Sequence, residues 1–225
     1  MHNRYYRMPK AQKRLIKLKI VGIALAFGAV VALLFLAISI SLVPLVFLVL
    51  ALSLSVLAPF FDVPSMVASG KMQYLSLFLL SEKAGEGKRR LHGGTLFDYY
   101  FTLPEKWNGR QRKTLILYEY LKGLLYLIEH EHDETVVEGT SYFISEQTAA
   151  KLGLRKAKTD WVQKLILMYN YLNLTLTLSY AKKSLQWPDM RTIHTFRAKV
   201  ADIRAHEQRL RALINRMEKA RWPAA

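Results

Sequence analysis

An uncharged run of 42 residues, from Ile20 to Phe61, constrains this chain more than any other feature of its sequence. It consists mainly of Leu, Val, Ala, Ile and Phe, and it is too long and too uniformly apolar for a helix of a globular core. A bilayer core about 30 Å thick is crossed by about 20 helical residues. The run therefore predicts two membrane-spanning helices, over about 20–40 and 43–61.

A turn between these helices is expected at Pro44, which follows Ser39 and Ser41 near the middle of the run. A cleaved signal peptide has an apolar stretch of only about 7–15 residues, so the run is too long for one. One tilted span followed by an interfacial segment is the remaining alternative, because Pro44 and Pro59 interrupt the second half. The expectation adopted is a transmembrane helical hairpin over 20–61.

The charges that flank the run predict its orientation. Residues 1–19 form a basic tail with seven Lys or Arg and no acidic side chain, and basic flanks stay in the cytoplasm. Two spans return the chain to the side on which it started. We therefore expect a multi-pass protein of the cell (inner) membrane with both termini in the cytoplasm.

The excess of basic residues indicates which partners suit the part that follows the spans. The whole chain has 33 Lys and Arg, 17 Asp and Glu, and a net charge of +16. Basic clusters close to a bilayer attract anionic lipid headgroups. Nucleic acid binds through the same charges, but a membrane tether makes it an unlikely partner beside the bilayer. The chain has no cysteine, which excludes disulfides and cysteine nucleophiles.

The remaining residues predict an α+β cytoplasmic domain. The segment 62–71 contains Pro, Ser and Gly and is typical of a linker. The domain then covers 72–225. Its first elements are expected to be two strands of a hairpin, Met72 to Ser81 and Leu96 to Leu103, joined by a polar, glycine-containing loop.

Three helices and a strand are predicted in the middle of the domain. The apolar spacing over 110–131 is that of an amphipathic helix, and the segment 136–144 is typical of a strand. A short helix is expected over 145–152, closed by Gly153. Asp160 is expected to open the next helix.

Two later segments allow two interpretations each. Leucines alternate with polar residues over 172–180, which favours a half-buried strand over a helix by a small margin. A long basic helix is predicted over 190–220, with apolar positions close to a heptad pattern. That helix packs either on its own domain or against a second copy or a protein partner.

One short segment has the composition of a catalytic or anion-binding turn. Two glycines, Gly93 and Gly94, follow His92 and permit close approach of a ligand, with backbone N–H groups that can hold an anion. His92 is suited to general acid–base chemistry, with Asp98 and Glu138 as further carboxylates. The alternative is a solvated histidine in a hairpin loop and an exposed aspartate. The residues expected to bind an anion or a lipid headgroup are Arg89, Arg90, Gly93, Gly94, Arg110 and Arg112.

A metal centre is not predicted. His130, His132 and Asp133 are the weak candidates, but two histidines two residues apart on a helix point in different directions. No HExxH, phosphate-binding GxxxxGK[ST] or GxGxxG pattern is present. The sequence names no cofactor.

Two functions are compatible with these observations. The first is a membrane-anchored interaction or scaffold subunit that uses the domain and helix 190–220. The alternative is a membrane-bound hydrolase or transferase that acts on a lipid-linked or anionic substrate through His92 and Asp98.

Overall fold

The structure is a computed structural model that describes residues 3–141 and 144–219. The helices of these residues are α1 (Arg4–Arg7), α2 (Lys10–Ile38), α3 (Val43–Leu57), α4 (Pro59–Ala68), α5 (Leu96–Thr102), α6 (Gly109–His130), α7 (Glu146–Ala150), α8 (Trp161–Tyr169), α9 (Tyr171–Lys182), α10 (Val200–Arg204) and α11 (Glu207–Lys219). The strands are β1 (Met72–Tyr74), β2 (Leu79–Lys83), β3 (Lys88–Gly93), β4 (Val136–Ser141), β5 (Arg155–Ala157) and β6 (His194–Lys199). Two apolar helices near the N-terminus thus precede a domain of helices and a mixed sheet.

The two apolar helices are α2 and a helical stretch formed by a short 3₁₀ turn and α3. An 18-residue stretch of Lys10–Ile38 has a mean hydropathy of 2.8 and Ile40–Leu57 has one of 2.7, so both helices are long and apolar enough to cross a membrane. They join at Ser39, whose hydroxyl accepts a hydrogen bond from the Ser41 N–H. The helices are thus interrupted at the predicted serines, whereas Pro44, where the turn was expected, lies inside the second helix.

A small residue sets the distance between the two apolar helices. A Cβ added to Gly28 would lie 2.6 Å from Cδ2 of Leu50. Only glycine at this position lets the leucine of α3 approach the α2 backbone so closely.

Helix α4 corrects the expectation of a linker over 62–71. It begins at Pro59, one residue after α3 ends, and continues through Pro64 to Ala68. Proline at the first helical position is compatible with a helix because that N–H has no partner there. Val63 and Pro64 are buried, so the segment packs on the domain.

The six strands form one mixed sheet in the order β1-β2-β3-β4-β6-β5. β3 and β4 are parallel and the other neighbours are antiparallel. One face of the sheet packs on α6, α10 and α11 in the main hydrophobic core, to which Leu79, Val137 and Phe196 contribute. Because β3 and β4 are parallel, their carboxyl ends lie at the same edge of the sheet. Helix α5 follows β3.

The expected strand Met72–Ser81 is divided into β1 and β2, which pair with each other, and a second hairpin joins β2 to β3. Its returning strand is the basic segment β3, which was expected to be a loop, and Leu96–Leu103 is mainly helix α5. The helix is favoured locally by a capping box, in which the Thr95 and Asp98 side chains bond each other's backbone N–H groups. Beta propensity of the aromatic residues does not override this start signal.

Residues 172–180 are helical, within α9, and not a strand. Helix α9 packs against α3, α5 and α6. A helix with neighbours on several sides needs no single apolar stripe, so its leucines can point in all directions. The alternating pattern was therefore misleading.

The long helix predicted over 190–220 is also wrong. Its first part is strand β6, which lies between β4 and β5 and gains hydrogen bonds from both. The apolar residues Leu210 and Ile214 of α11 are buried against α6 in the core of the same chain. The heptad spacing therefore reflects packing within one domain.

The other predicted elements are confirmed. The helix expected over 110–131 is α6. The strand expected over 136–144 is β4 (Val136–Ser141), and residues 142 and 143 lie outside the described residues. The helix expected over 145–152 is α7, and Gly153 follows it with φ of +80°. Asp160 immediately precedes α8.

Candidate functional site

A cleft of about 310 Å³ lies over β3 and β4, on the sheet face opposite α6. Its floor is formed by the ends of these parallel strands. Val63 of α4 and Leu80 of β2 form one side, and Gln163 of α8 and Asn173 of α9 form the other. A crevice at the carboxyl ends of parallel strands is a common place for ligands in proteins that contain α-helices and β-sheets.

The sheet face that holds the cleft carries charged side chains of alternating sign on neighbouring strands, of which Arg90 and Glu138 line the cleft. Glu82 pairs in register with Arg90, Arg90 with Glu138, and Glu138 with Arg197. Side chains directly opposite each other on paired strands share one face of the sheet. A row of four charges therefore crosses four strands on the face that holds the cleft.

His92 is paired with Glu82, whereas Asp98, the carboxylate expected to share its acid–base chemistry, lies elsewhere. The His92 Nε2 lies 3.0 Å from Glu82 Oε2, and both side chains are about one-third exposed, at 36% and 31%. When Nε2–H donates to this carboxylate, Nδ1 is left as a proton acceptor. His92 and Glu82 form a histidine–carboxylate pair at the edge of the cleft.

Arg90 and Glu138 both line the cleft but differ in their partners. Glu138 accepts a hydrogen bond from Nε of Arg197 at 2.7 Å. Arg90 forms no ion pair within the described parts of the chain, 3–141 and 144–219, and its side chain is exposed. Its guanidinium therefore has donors available for an anion.

Polar side chains of α8 and α9 form the wall opposite α4. Gln163 donates to Thr140 Oγ1 at 2.9 Å, which ties α8 to β4. Asn170, Asn173 and Thr177 follow along the same wall. Together with Thr95 and Ser141 they surround the charged floor with neutral hydrogen-bonding groups.

The two glycines act by close packing and not by the expected anion cradle. Neither Gly93 nor Gly94 has a positive φ. A Cβ on Gly93 would clash with the Tyr120 hydroxyl, and one on Gly94 would lie 2.8 Å from a ring carbon of Tyr99. The Gly94 N–H donates to Phe78 O at 2.8 Å. The two glycines therefore do not form the positive-φ turn that was expected to hold an anion.

Asp98 lies outside the cleft and is fully buried. Its Oδ2 accepts from the Thr95 N–H at 2.8 Å and from Thr95 Oγ1 at 2.9 Å, and its Oδ1 accepts from the Tyr74 hydroxyl at 2.5 Å. Burial raises the pKa of this carboxyl to about 6, and hydrogen bonds from Tyr74 and Thr95 oppose the shift. Its position is that of a helix cap, which holds α5 and β1 together.

The other predicted anion-binding arginines also lie outside the cleft lining. Arg89 pairs with Glu131 at 2.6 Å. Arg112 is buried and donates to the backbone carbonyls of Tyr180 and Pro104, so it joins α9 to the loop before α6. Arg110 is exposed on the surface of α6.

The weak metal candidates do not converge. His130 Nδ1 lies 2.9 Å from the Tyr126 carbonyl, and Asp133 binds Arg204 at 2.7 Å. His132 follows the end of α6. No group of three His, Cys, Asp or Glu side chains placed to hold a metal occurs in the described parts of the chain.

Sequence reasoning missed Glu82 and the polar wall. Glu82 was assigned to a loop, since β3 is so basic that the hairpin register was not visible. The wall had a detectable signal: Gln163, Leu167 and Asn170 are spaced by four and three residues on a helix that is otherwise mostly apolar.

The fold and the cleft define a class: an α+β domain with a charged crevice, carried on two long apolar helices. Comparisons with models of protein families, with curated proteins and with solved structures found no match to this chain. The chemistry of the crevice is therefore interpreted from its own residues.

Proposed function

We propose that this chain is a membrane-anchored hydrolase or transferase whose cytoplasmic domain acts on an anionic, lipid-linked substrate. The observation that carries the proposal is the position of the cleft. Its unpaired Arg90 and its His92–Glu82 pair lie between α4 and α9, and both of these helices contact α3. A substrate held in the bilayer would reach this crevice without leaving the membrane surface.

Contacts of the N-terminal segment support the hairpin topology. Arg4 Nε donates to Phe101 O at 3.0 Å. The buried ring of Tyr5 lies 5.0 Å from that of Phe97 and 5.2 Å from that of Phe101, measured between centroids. The segment before the first apolar helix thus touches the domain that follows the second. Such contact needs both on one side of a bilayer, and the basic tail favours the cytoplasmic side.

The cleft has the groups that acid–base catalysis on an anion requires. Arg90 is suited to pairing with a phosphate or carboxylate of the substrate. His92 is suited to taking a proton from water or from an acceptor hydroxyl, while Glu82 holds the ring and stabilises its charged form. Ser141 and Thr140 add hydroxyls along the floor.

The scaffold function has less structural support. It relied on the heptad spacing along 190–220, on the basic surface and on the lack of an established catalytic motif. Of these, the heptad spacing no longer supports it, because Leu210 and Ile214 of α11 are buried in their own domain. An interaction subunit therefore serves as the alternative outcome of the experiments below.

Anion binding is tested with the purified full-length chain in detergent. The protein is incubated with equal amounts of phosphatidylcholine and phosphatidylglycerol, and retained lipid is measured by mass spectrometry. We expect retention of phosphatidylglycerol to fall several-fold in Arg90→Ala and to be unchanged in Arg110→Ala, the matched exposed arginine outside the cleft. Equal retention in wild type and both variants would overturn the assignment of the cleft.

Catalysis is tested by comparing lipid extracts of membranes that contain wild type, His92→Gln or Glu82→Gln. The proposal expects an anionic lipid species whose abundance changes with wild type and not with His92→Gln. Lipid profiles that are identical in all three membranes, combined with a stable protein partner in pull-downs, would support the interaction subunit instead.

A further inference from the structure

Helix α8 has an inverted distribution of polar and apolar residues. The side turned toward the domain contains Gln163, Leu167 and Asn170, which line the cleft. The outward side is almost entirely apolar. Its exposed apolar residues are Trp161, Val162, Leu165, Ile166, Met168 and Tyr169, with exposures between 42% and 69%.

This inversion is unfavourable in water. A helix on the surface of a globular protein turns its apolar stripe to the core and its polar residues to the solvent. Contiguous exposed apolar side chains mark a surface that is covered by something else. Lys164 is exposed on the same helix, and a lysine with a long apolar stem is typical of helices at a membrane surface.

The packing of α2 on α3 shows where a bilayer surface would lie. Gly28 lies against Leu50. The two helices are antiparallel and rise equally per residue. Lys19, about nine residues before Gly28, therefore lies level with Pro59, about nine residues after Leu50. Lys19 is the last charged residue before the apolar run. The boundary between apolar core and headgroups is therefore expected near Pro59.

Helix α8 ends close to this boundary. Ser55 lies about one helical turn inside it, and its carbonyl accepts a hydrogen bond from Asn173 Nδ2 at 3.0 Å. Asn173 is in the first turn of α9, and only Asn170 separates α9 from α8. The C-terminal end of α8 is thereby held at headgroup depth.

We propose that α8 is an interfacial helix, with its apolar outer side in the lipid and its polar inner side forming the wall of the cleft. The substrate then enters from the leaflet, past this wall. Trp and Tyr at the two ends of α8 agree with the preference of these residues for the headgroup region. The inference rests on the membrane anchoring proposed above.

The experiment uses single cysteines in the full-length chain, which has none of its own. Leu33→Cys, Met168→Cys and Arg209→Cys are each labelled with an environment-sensitive fluorophore and reconstituted into phosphatidylcholine–phosphatidylglycerol liposomes. Leu33 is an exposed residue of α2, and Arg209 is exposed on α11, on the other side of the sheet. Quenching by lipids that carry a spin label in the headgroup region or the acyl chain reports contact with the bilayer.

The proposal expects strong quenching at position 33 by acyl-chain labels, several-fold stronger quenching at 168 than at 209, and a preference of position 168 for the headgroup label. Quenching at 33 alone overturns the role of α8 and leaves the membrane anchoring intact. Absence of quenching at all three positions overturns both. A blue-shifted but unquenched label at 168 shows a protein contact, for example with a second copy, and also overturns the bilayer assignment.

Discussion

The two faces of the sheet are built from the same strands but differ in almost every property. On one face, Val137 and Phe196 are buried against α6 and its neighbours. On the other face the adjacent residues Glu138 and Arg197 form an exposed ion pair. Successive residues of a strand point to opposite faces of the sheet, so neighbours in sequence lie in these two different environments.

The two faces of the sheet differ in how much they contribute to stability. The apolar face contributes the burial that holds the domain together. The charged face carries exposed ion pairs, which stabilise a protein by only about 0–1 kcal/mol each. Charges on that face therefore contribute little to the free energy of folding.

The largest contrast is expected between two neighbours in β6. Phe196→Ala should lower the free energy of unfolding by about 3–5 kcal/mol, because it leaves a cavity in the core. Arg197→Ala should lower it by at most about 1 kcal/mol. Thermal unfolding of the full chain in detergent measures both. Similar losses in the two variants would show that the charged face is also a packing surface.

An intermediate effect on the free energy of unfolding is expected at Asp98. Of the carboxylates predicted to form the site, Asp98 is the buried one. Asp98→Asn replaces an acceptor of three hydrogen bonds and should cost about 1–3 kcal/mol. Burial raises the pKa of Asp98 to about 6, so the folded protein binds this proton more tightly than the unfolded chain. The contribution of the group to stability therefore decreases as pH rises from about 4 to about 6.

Thermal unfolding across this pH range, in wild type and Asp98→Asn, isolates that contribution. The wild-type minus variant difference should shrink between about pH 4 and pH 6 and then stay constant. Glu138→Gln, the same carboxylate-to-amide change on the opposite face of the sheet, serves as the matched control variant. A difference that grows with pH would contradict the raised pKa.

The smallest effect on stability is expected in the cleft itself. Glu82→Gln and Arg90→Ala should each change the free energy of unfolding by no more than about 0.5 kcal/mol, because both side chains are partly or fully exposed. On the proposed function, lipid retention should nevertheless fall in Arg90→Ala and lipid turnover in Glu82→Gln. A large loss of stability in either variant would show that the face with the cleft also contributes to folding.

The fold was predictable where one signal acted alone. The long uncharged run predicted the two apolar helices, and the apolar spacing of 110–131 predicted α6. Predictions failed where tertiary pairing overrides local pattern. Strand β3 is too polar to be recognised without its neighbours, and β6 forms because β4 and β5 lie on both sides of it.

The candidate site was predictable in part for the same reason. His92, Arg90 and Glu138 were identified and line one cleft. Asp98 was assigned to a strand, although Thr95 and Asp98 have the spacing of a capping box. The partner of His92 is Glu82, which no local pattern places near it, because their contact depends on the register of β2 and β3.

The aromatic contacts of the N-terminal segment join the start of the first apolar helix to the domain. Tyr5, which precedes the two apolar helices, is buried in one cluster with Val63 and Phe97, which follow them. A fragment that starts at Met72 would expose this cluster to water and should aggregate or bind detergent. The two apolar helices are therefore attached to the domain at both ends, and a truncated side chain at Tyr5 is expected to destabilise the domain as well as the segment that carries it.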